Sequence, residues 1–99
     1  MYKIVFTKRA SQEFDKSFSW YEQQRTGLGD DFEKAIEVVL GRISERPQSF
    51  RLGKKPYREA LVKKFPFLII FKINKSEKTV QIASVFHTSR NPKTKYRKS

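Results

Sequence analysis

The run Phe65-Pro66-Phe67-Leu68-Ile69-Ile70-Phe71-Lys72-Ile73 constrains this chain more than any other stretch. It is the most apolar segment, rich in aromatic and β-branched residues, and short enough to be a strand. Alternation sends Phe67, Ile69, Phe71 and Ile73 to one face and Leu68 and Ile70 to the other. A strand that is apolar on both sides belongs in mid-sheet, covered at least in part on both faces. Pro66 has no N–H for a ladder bond, which places it at the start of the strand. A polar turn, Asn74-Lys75-Ser76-Glu77, comes next. Thr79 to His87 then alternates, with Val80, Ile82 and Phe86 on one face and Thr79, Gln81, Ala83, Val85 and His87 on the other. The two runs read as an antiparallel hairpin. Its second strand delivers His87 to a sheet end, just before the basic tail Arg90-Asn91-Pro92-Lys93-Thr94-Lys95-Tyr96-Arg97-Lys98.

The segments before this hairpin supply the rest of a small fold. Tyr2 to Phe6 alternates and reads as a first strand near an edge, and Thr7 is placed to cap a helix starting at Lys8. From Lys8 to about Gln24, Ala10, Phe14, Phe18 and Tyr21 recur at helical spacing with Trp20 beside them, a stripe that reads as core. Thr26-Gly27-Leu28-Gly29-Asp30 is a break, where Gly27 can close the first helix in a left-handed conformation and Asp30 can cap the second. Phe32, Ile36, Val39, Leu40 and Ile43 form the second buried stripe, and Pro47 ends that helix. So short a connection implies an antiparallel helical hairpin. The glycines near it are no phosphate loop, since no strand precedes them and no Lys-Ser/Thr comes after. Pro47 to Pro56 reads as a loop with room for a short strand at Phe50–Leu52, and a further strand over Tyr57–Lys64 completes the set. The order β-α-α-β-β-β gives an α+β fold: a mainly antiparallel twisted sheet with the helical hairpin packed on one face.

Composition narrows the function. Ninety-nine residues make one small domain, spanning 1–99 with 93–99 as a basic tail. Without cysteine there is no disulfide framework or thiolate chemistry, and with a single histidine no structural zinc site. No metal or other cofactor is expected. No apolar run approaches membrane-spanning length, so the expectation is a soluble, cytoplasmic protein with no membrane partner. The net charge is +12, and its placement matters more than its size. Of the 22 Lys and Arg, eight lie in residues 1–50, leaving fourteen for residues 51–99; of the ten acids, eight lie in the first half and two in the second. That asymmetry suggests a polyanionic partner, whether nucleic acid, ribosome or an acidic protein segment.

An ordered set of residues brings in a family. Trp20-Tyr21 stand in the first helix. Gly27-Leu28-Gly29 and Phe32 open the second, with Pro47 after it. Tyr57-Arg58, Phe65-Pro66-Phe67 and Val85-Phe86-His87 with Arg90 and Pro92 complete the series. In that order and spacing the chain resembles the RelE/ParE superfamily of bacterial type II toxin–antitoxin toxins, also called plasmid stabilisation proteins. The resemblance covers nearly the whole chain and does not single out a branch. It implies a small basic toxin held inactive by a cognate antitoxin whose C-terminal segment wraps the toxin. RelE-like members cleave mRNA on the ribosome without a metal, whereas ParE-like members poison DNA gyrase and are not nucleases.

Metal-free RNA cleavage needs a group to take the 2′ proton, one to protonate the leaving 5′ oxygen, and cations to hold the phosphorane charge. The candidates are His87 for proton transfer, Arg58 and Arg90 for phosphate, and Lys54, Lys55, Lys93, Lys95, Tyr96 and Arg97 for positioning nucleic acid. Each has a plainer alternative. His87 can be a strand-end residue that packs or hydrogen bonds, Arg58 can support the fold or meet the antitoxin, and the tail can be a solvated end. Glu59 points away from the face of Arg58 and is not read as the base. Ribosome-dependent mRNA cleavage leads, with gyrase poisoning, or antitoxin binding alone, as the other readings.

Overall fold

The structure is a computed structural model that describes residues 1–96. The element order is β1 (Lys3–Phe6), α1 (Lys8–Gln24), α2 (Leu28–Glu45), β2 (Arg51–Leu52), β3 (Arg58–Leu61), β4 (Phe67–Asn74) and β5 (Thr79–His87), with single 3-10 turns at Pro47–Ser49 and Pro92–Thr94. The strands form one sheet in the order β1-β5-β4-β3-β2. β1 runs parallel to β5 and every other pairing is antiparallel. The expected α+β architecture is therefore what the chain adopts, with the short Arg51–Leu52 strand as a fifth member. The apolar run is the central strand, β4, and Pro66 stands one residue ahead of it.

The helical hairpin covers one face of this sheet. Phe32, Ile36, Val39 and Ile43 from α2 are buried, as expected from their spacing. They meet Ala60, Val62, Phe67, Ile69, Phe71, Val80, Ile82 and Val85 from the sheet side. Phe32 is the hub: its ring lies within 5.0–5.5 Å of the rings of Phe14, Tyr21, Phe65 and Phe67. From α1 only Ala10 is fully buried, while Phe14, Phe18 and Tyr21 pack half-exposed against the core. Trp20 stays 57% exposed.

Thr7 caps α1 as expected, its hydroxyl accepting from the Ala10 N–H. The start of α2 differs from the expectation that Asp30 caps it. The helix begins three residues earlier, at Leu28, after Gly27 at φ +91°. The capping oxygens come from α1: the Glu22 carboxylate accepts from the N–H groups of Gly27 (3.0 Å) and Gly29 (2.9 Å). Side-chain capping from a neighbouring helix satisfies the same orphan donors that a local Asp would, and places a negative charge at the positive helix end. A side chain at Gly29 would collide with Glu22 and Phe18, so the close crossing of the two helices requires glycine there.

The second departure lies in β5. Ile70 of β4 is opposite Ser84, but Phe71 is opposite Ile82, so Ala83 is an extra residue in the ladder. A bulge of this kind reverses the alternation beyond it. Val85 therefore joins Val80 and Ile82 in the core under the helices, and Phe86 turns to the opposite face. His87, two residues beyond Val85, ends on the helix-covered side of the sheet.

The C-terminal segment lies over the face of the sheet opposite the helices. After β5 the chain turns at Arg90 and crosses back toward β3. Residues Thr94 and Lys95 offer their carbonyls to Arg9 of α1, and Lys95 and Tyr96 bond to Glu59 of β3. Ile70, Ser84 and Phe86, on this second face, are all buried.

Candidate functional site

β3 and β5 flank β4, so the positions of Arg58 and His87 are set by the register. His87 is opposite Phe67, and Arg58 is opposite Phe71. Four residues of β4 separate these levels, about 13 Å along the strand, and two strand spacings of about 5 Å each separate them sideways. The Arg58 guanidinium donates to the Phe50 carbonyl at 2.8 Å, which ties it to the loop before β2. Arg90 lies over the Phe86 ring, 5.0 Å from its centroid, and pairs with Glu13. Arg58 is thus held apart from His87, whereas Arg90 follows His87 in one turn, its N–H donating to the His87 carbonyl at 3.0 Å while its guanidinium turns to Phe86 and Glu13.

Glu13 is a site residue that sequence reading missed. Its carboxylate accepts from the Ser84 hydroxyl (2.7 Å), the Val85 N–H (3.0 Å), Arg9 and Arg90. β1 stops opposite Ile82, so the edge of β5 beyond it has no strand neighbour. Glu13 occupies that edge and satisfies an N–H that would otherwise be orphaned. The available signal is the spacing Glu13, Ser17, Trp20 and Tyr21, one face of α1 laid along the end of β5.

His87 sits beside that face. Its ring is edge-to-face with Phe67, 5.0 Å between centroids. The Ser89 N–H donates to Nδ1 at 3.1 Å, and the Ser89 hydroxyl is 2.7 Å from the same nitrogen. An imidazole nitrogen that accepts from a backbone N–H carries no proton, so the neutral ring has its proton on Nε2. Ser17, Trp20, Tyr21, Phe67 and His87 line an open pocket of about 250 Å³.

Of the residues expected to position nucleic acid, Tyr96 and Lys95 are committed elsewhere. The Tyr96 hydroxyl donates to Glu59 and accepts from the Lys54 N–H at 3.1 Å, and its ring packs 5.4 Å from Tyr57. Lys95 pairs with Glu59 at 3.3 Å, and Arg51 with the same carboxylate at 2.8 Å. The side chains of Lys54, Lys55 and Lys93 are exposed. Arg97 lies outside the described residues. Among the described residues, no three of His, Cys, Asp and Glu come together as a cation site, and no helix is long and apolar enough to cross a membrane.

Glu59 is the lock of this tail. Burial by itself pushes its carboxyl up, but hydrogen bonds from Tyr96, Arg51 and Lys95, with the Lys95 charge, outweigh that and hold it below the ordinary value of 4.5. A carboxyl lowered on folding stabilises the folded chain above its unfolded pKa, and that contribution is lost as the pH falls through the folded value. Acidification from neutral to below about pH 4.5 is therefore expected to loosen the segment 92–96. The Tyr57 and Tyr96 ring resonances, followed by NMR, would show it, and Glu59→Gln should remove that pH dependence. Unchanged tyrosine signals through this range in the parent chain would contradict the assignment.

A second concavity, of about 910 Å³, runs between α2 and the β3–β4 connection. Its floor is apolar: Leu28, Ala35, Val38 and Phe65, with Val38 65% exposed. Its rim carries Lys34, Arg42, Lys63 and Lys64 against a single acid, Asp31, which faces Arg25 at 3.6 Å. An exposed apolar floor inside a ring of cations suits an amphipathic acidic segment.

Comparisons with known proteins agree with this architecture. The family model described as the ParE toxin of the type II toxin–antitoxin system, parDE, matches residues 4–92. No curated protein matches the chain. Among solved structures, the chromosomal ParDE system from P. aeruginosa contains a chain 18% identical, with a TM-score of 0.65 over 90% of this chain and 98% of that one. The isolated E. coli RelE toxin is 18% identical, with a TM-score of 0.69 over 93% and 89% of the two chains. The toxin–antitoxin complex RelBE of E. coli gives 18% identity and a TM-score of 0.70 over 91% and 100%. At this identity the structural likeness is one of fold, and it does not divide ParE-like from RelE-like action.

Proposed function

The chain belongs to the ParE toxin family of type II toxin–antitoxin systems, and on that premise we propose that it poisons DNA gyrase by binding, without cleaving RNA. The observation that carries this reading is the separation of His87 from Arg58, with the Arg90 guanidinium paired to Glu13. Cleavage through the 2′-hydroxyl needs proton-transfer groups and phosphate-binding cations around one phosphorus, within hydrogen-bond reach of it. Here Arg58 is bonded to a backbone carbonyl and Arg90 to Glu13. His87, with Nδ1 taken by Ser89, is about 13 Å away from Arg58 along the strand direction alone.

The partner that silences the toxin is its antitoxin. We assign the groove between α2 and the β3–β4 connection to an acidic, amphipathic antitoxin segment, because charge and apolar surface there complement such a segment.

Purified chain added to gyrase and plasmid DNA is expected to inhibit supercoiling and to accumulate double-strand breaks. A translation reaction on purified ribosomes should retain intact mRNA at the same concentration. Cut mRNA with normal supercoiling would overturn the gyrase reading in favour of the nuclease. Expression that harms no cell in the absence of antitoxin would reduce the role to antitoxin binding.

A further inference from the structure

Gyrase poisoning and antitoxin binding, as assigned above, leave the pocket beside His87 unused. α1 lays Ser17, Trp20 and Tyr21 against the last residues of β5, and the bulge at Ala83 is what turns His87 toward them. Trp20 stands edge-to-face with Tyr21 at 5.2 Å, and His87 edge-to-face with Phe67 at 5.0 Å. Both pairs are held by the aromatic core behind them, since Tyr21 and Phe67 each contact Phe32. The indole is 57% exposed, although ring burial is its most favourable use.

We propose that this pocket binds a single nucleobase, stacked on Trp20 and hydrogen bonded at its edge by the Nε2–H of His87. Three features select that ligand class. The volume, about 250 Å³, is below the roughly 300–1,000 Å³ of clefts for drug-sized ligands, so it takes one ring system and not a peptide helix. The walls are aromatic, and stacking on aromatic side chains is how unpaired bases are held. The donor is directional: Ser89 fixes Nδ1 as an acceptor, which leaves Nε2–H with no hydrogen-bond partner among the described residues. Base edges carry ring-nitrogen and carbonyl acceptors that can meet such a donor, whereas an apolar side chain of a protein partner leaves it unsatisfied. No carboxylate lines the pocket, and the chain's net charge of +12 favours a ligand carrying phosphate.

Trp20 is the only tryptophan in the chain, so its fluorescence reports this pocket alone. Titration of the free toxin with adenosine, guanosine, cytidine and uridine, and with their 5′-monophosphates, is expected to quench that fluorescence saturably. The nucleosides should suffice, and the monophosphates should bind more tightly at low salt. His87→Ala should weaken binding about tenfold, with a circular dichroism spectrum like that of the parent. Inorganic phosphate alone should leave the emission unchanged. Absence of saturable quenching by any nucleoside in the parent chain overturns the proposal, as does equal binding by the His87→Ala variant. Quenching by an antitoxin peptide but by no nucleoside would instead give the pocket to a protein side chain. Because the readout is the free toxin, its failure leaves gyrase inhibition standing, and a failure to inhibit gyrase leaves the pocket standing.

Discussion

Replacing Phe32 with alanine is expected to destabilise the chain by about 3–5 kcal/mol. Phe32 is fully buried and stacks against Phe14 while meeting Tyr21, Phe65 and Phe67 with ring faces or edges. Truncation removes the transfer free energy of the ring and leaves a cavity bounded by four aromatic side chains that cannot all move inward together. In a domain of this size that is a large part of the total stability. Urea denaturation should show the loss as a lower midpoint with an unchanged slope. The consequence for function is local. Tyr21 and Phe67 are the inner walls of the His87 pocket, so nucleoside quenching of Trp20 should weaken even where the variant remains folded. A variant within about 1 kcal/mol of the parent would mean that the aromatic cluster repacks freely, and that the pocket is not rigidly supported.

Reversal of charge at the groove between α2 and the β3–β4 connection is expected to have the second largest effect. The double change Lys63→Glu, Lys64→Glu places two acids on a rim whose other cations are Lys34 and Arg42. An acidic antitoxin segment would then meet like charge at the entrance. Association should slow by about 10- to 100-fold at low salt, and the difference should shrink as salt rises. Both lysines are exposed and make no ion pair among the described residues, so folding stability should change little. Stopped-flow or surface-based kinetics against the cognate antitoxin would measure the effect. An association rate equal to that of the parent at low salt would remove the antitoxin from this groove. Val38→Asp, on the floor, should act differently, raising the dissociation rate through loss of apolar contact.

The charge asymmetry along the sequence takes on a more specific meaning in three dimensions. Several cations of residues 51–99 are already paired within the protein: Arg51 and Lys95 on Glu59, Arg58 on the Phe50 carbonyl, Arg90 on Glu13. The exposed remainder includes Lys54, Lys55, Lys63, Lys64 and Lys93. The groove rim draws Lys34 and Arg42 from the half of the sequence whose charges cancel. Net charge per segment therefore suggests a class of partner without identifying the surface that would meet it, because a surface collects residues from both halves.

Period and punctuation in the sequence were enough to determine the elements and their class. Thr7 as the first cap, the α1 range, the α2 stripe, the β4–β5 hairpin and the α+β order are all local consequences of spacing and turn chemistry, and the chain adopts them. The family resemblance likewise rests on residues visible in order. Tertiary structure alone decided which way those residues point and what holds them. The extra residue at Ala83 reverses the alternation of β5, which no count of periods from Thr79 could reveal, and it sends His87 to the helices and Phe86 to the tail. Glu13, Glu22 and Glu59 each accept bonds from partners in other elements, up to 77 positions away in sequence for Arg90 and Glu13. Such contacts depend on where separate elements end in space, and a linear pattern carries period without carrying distance.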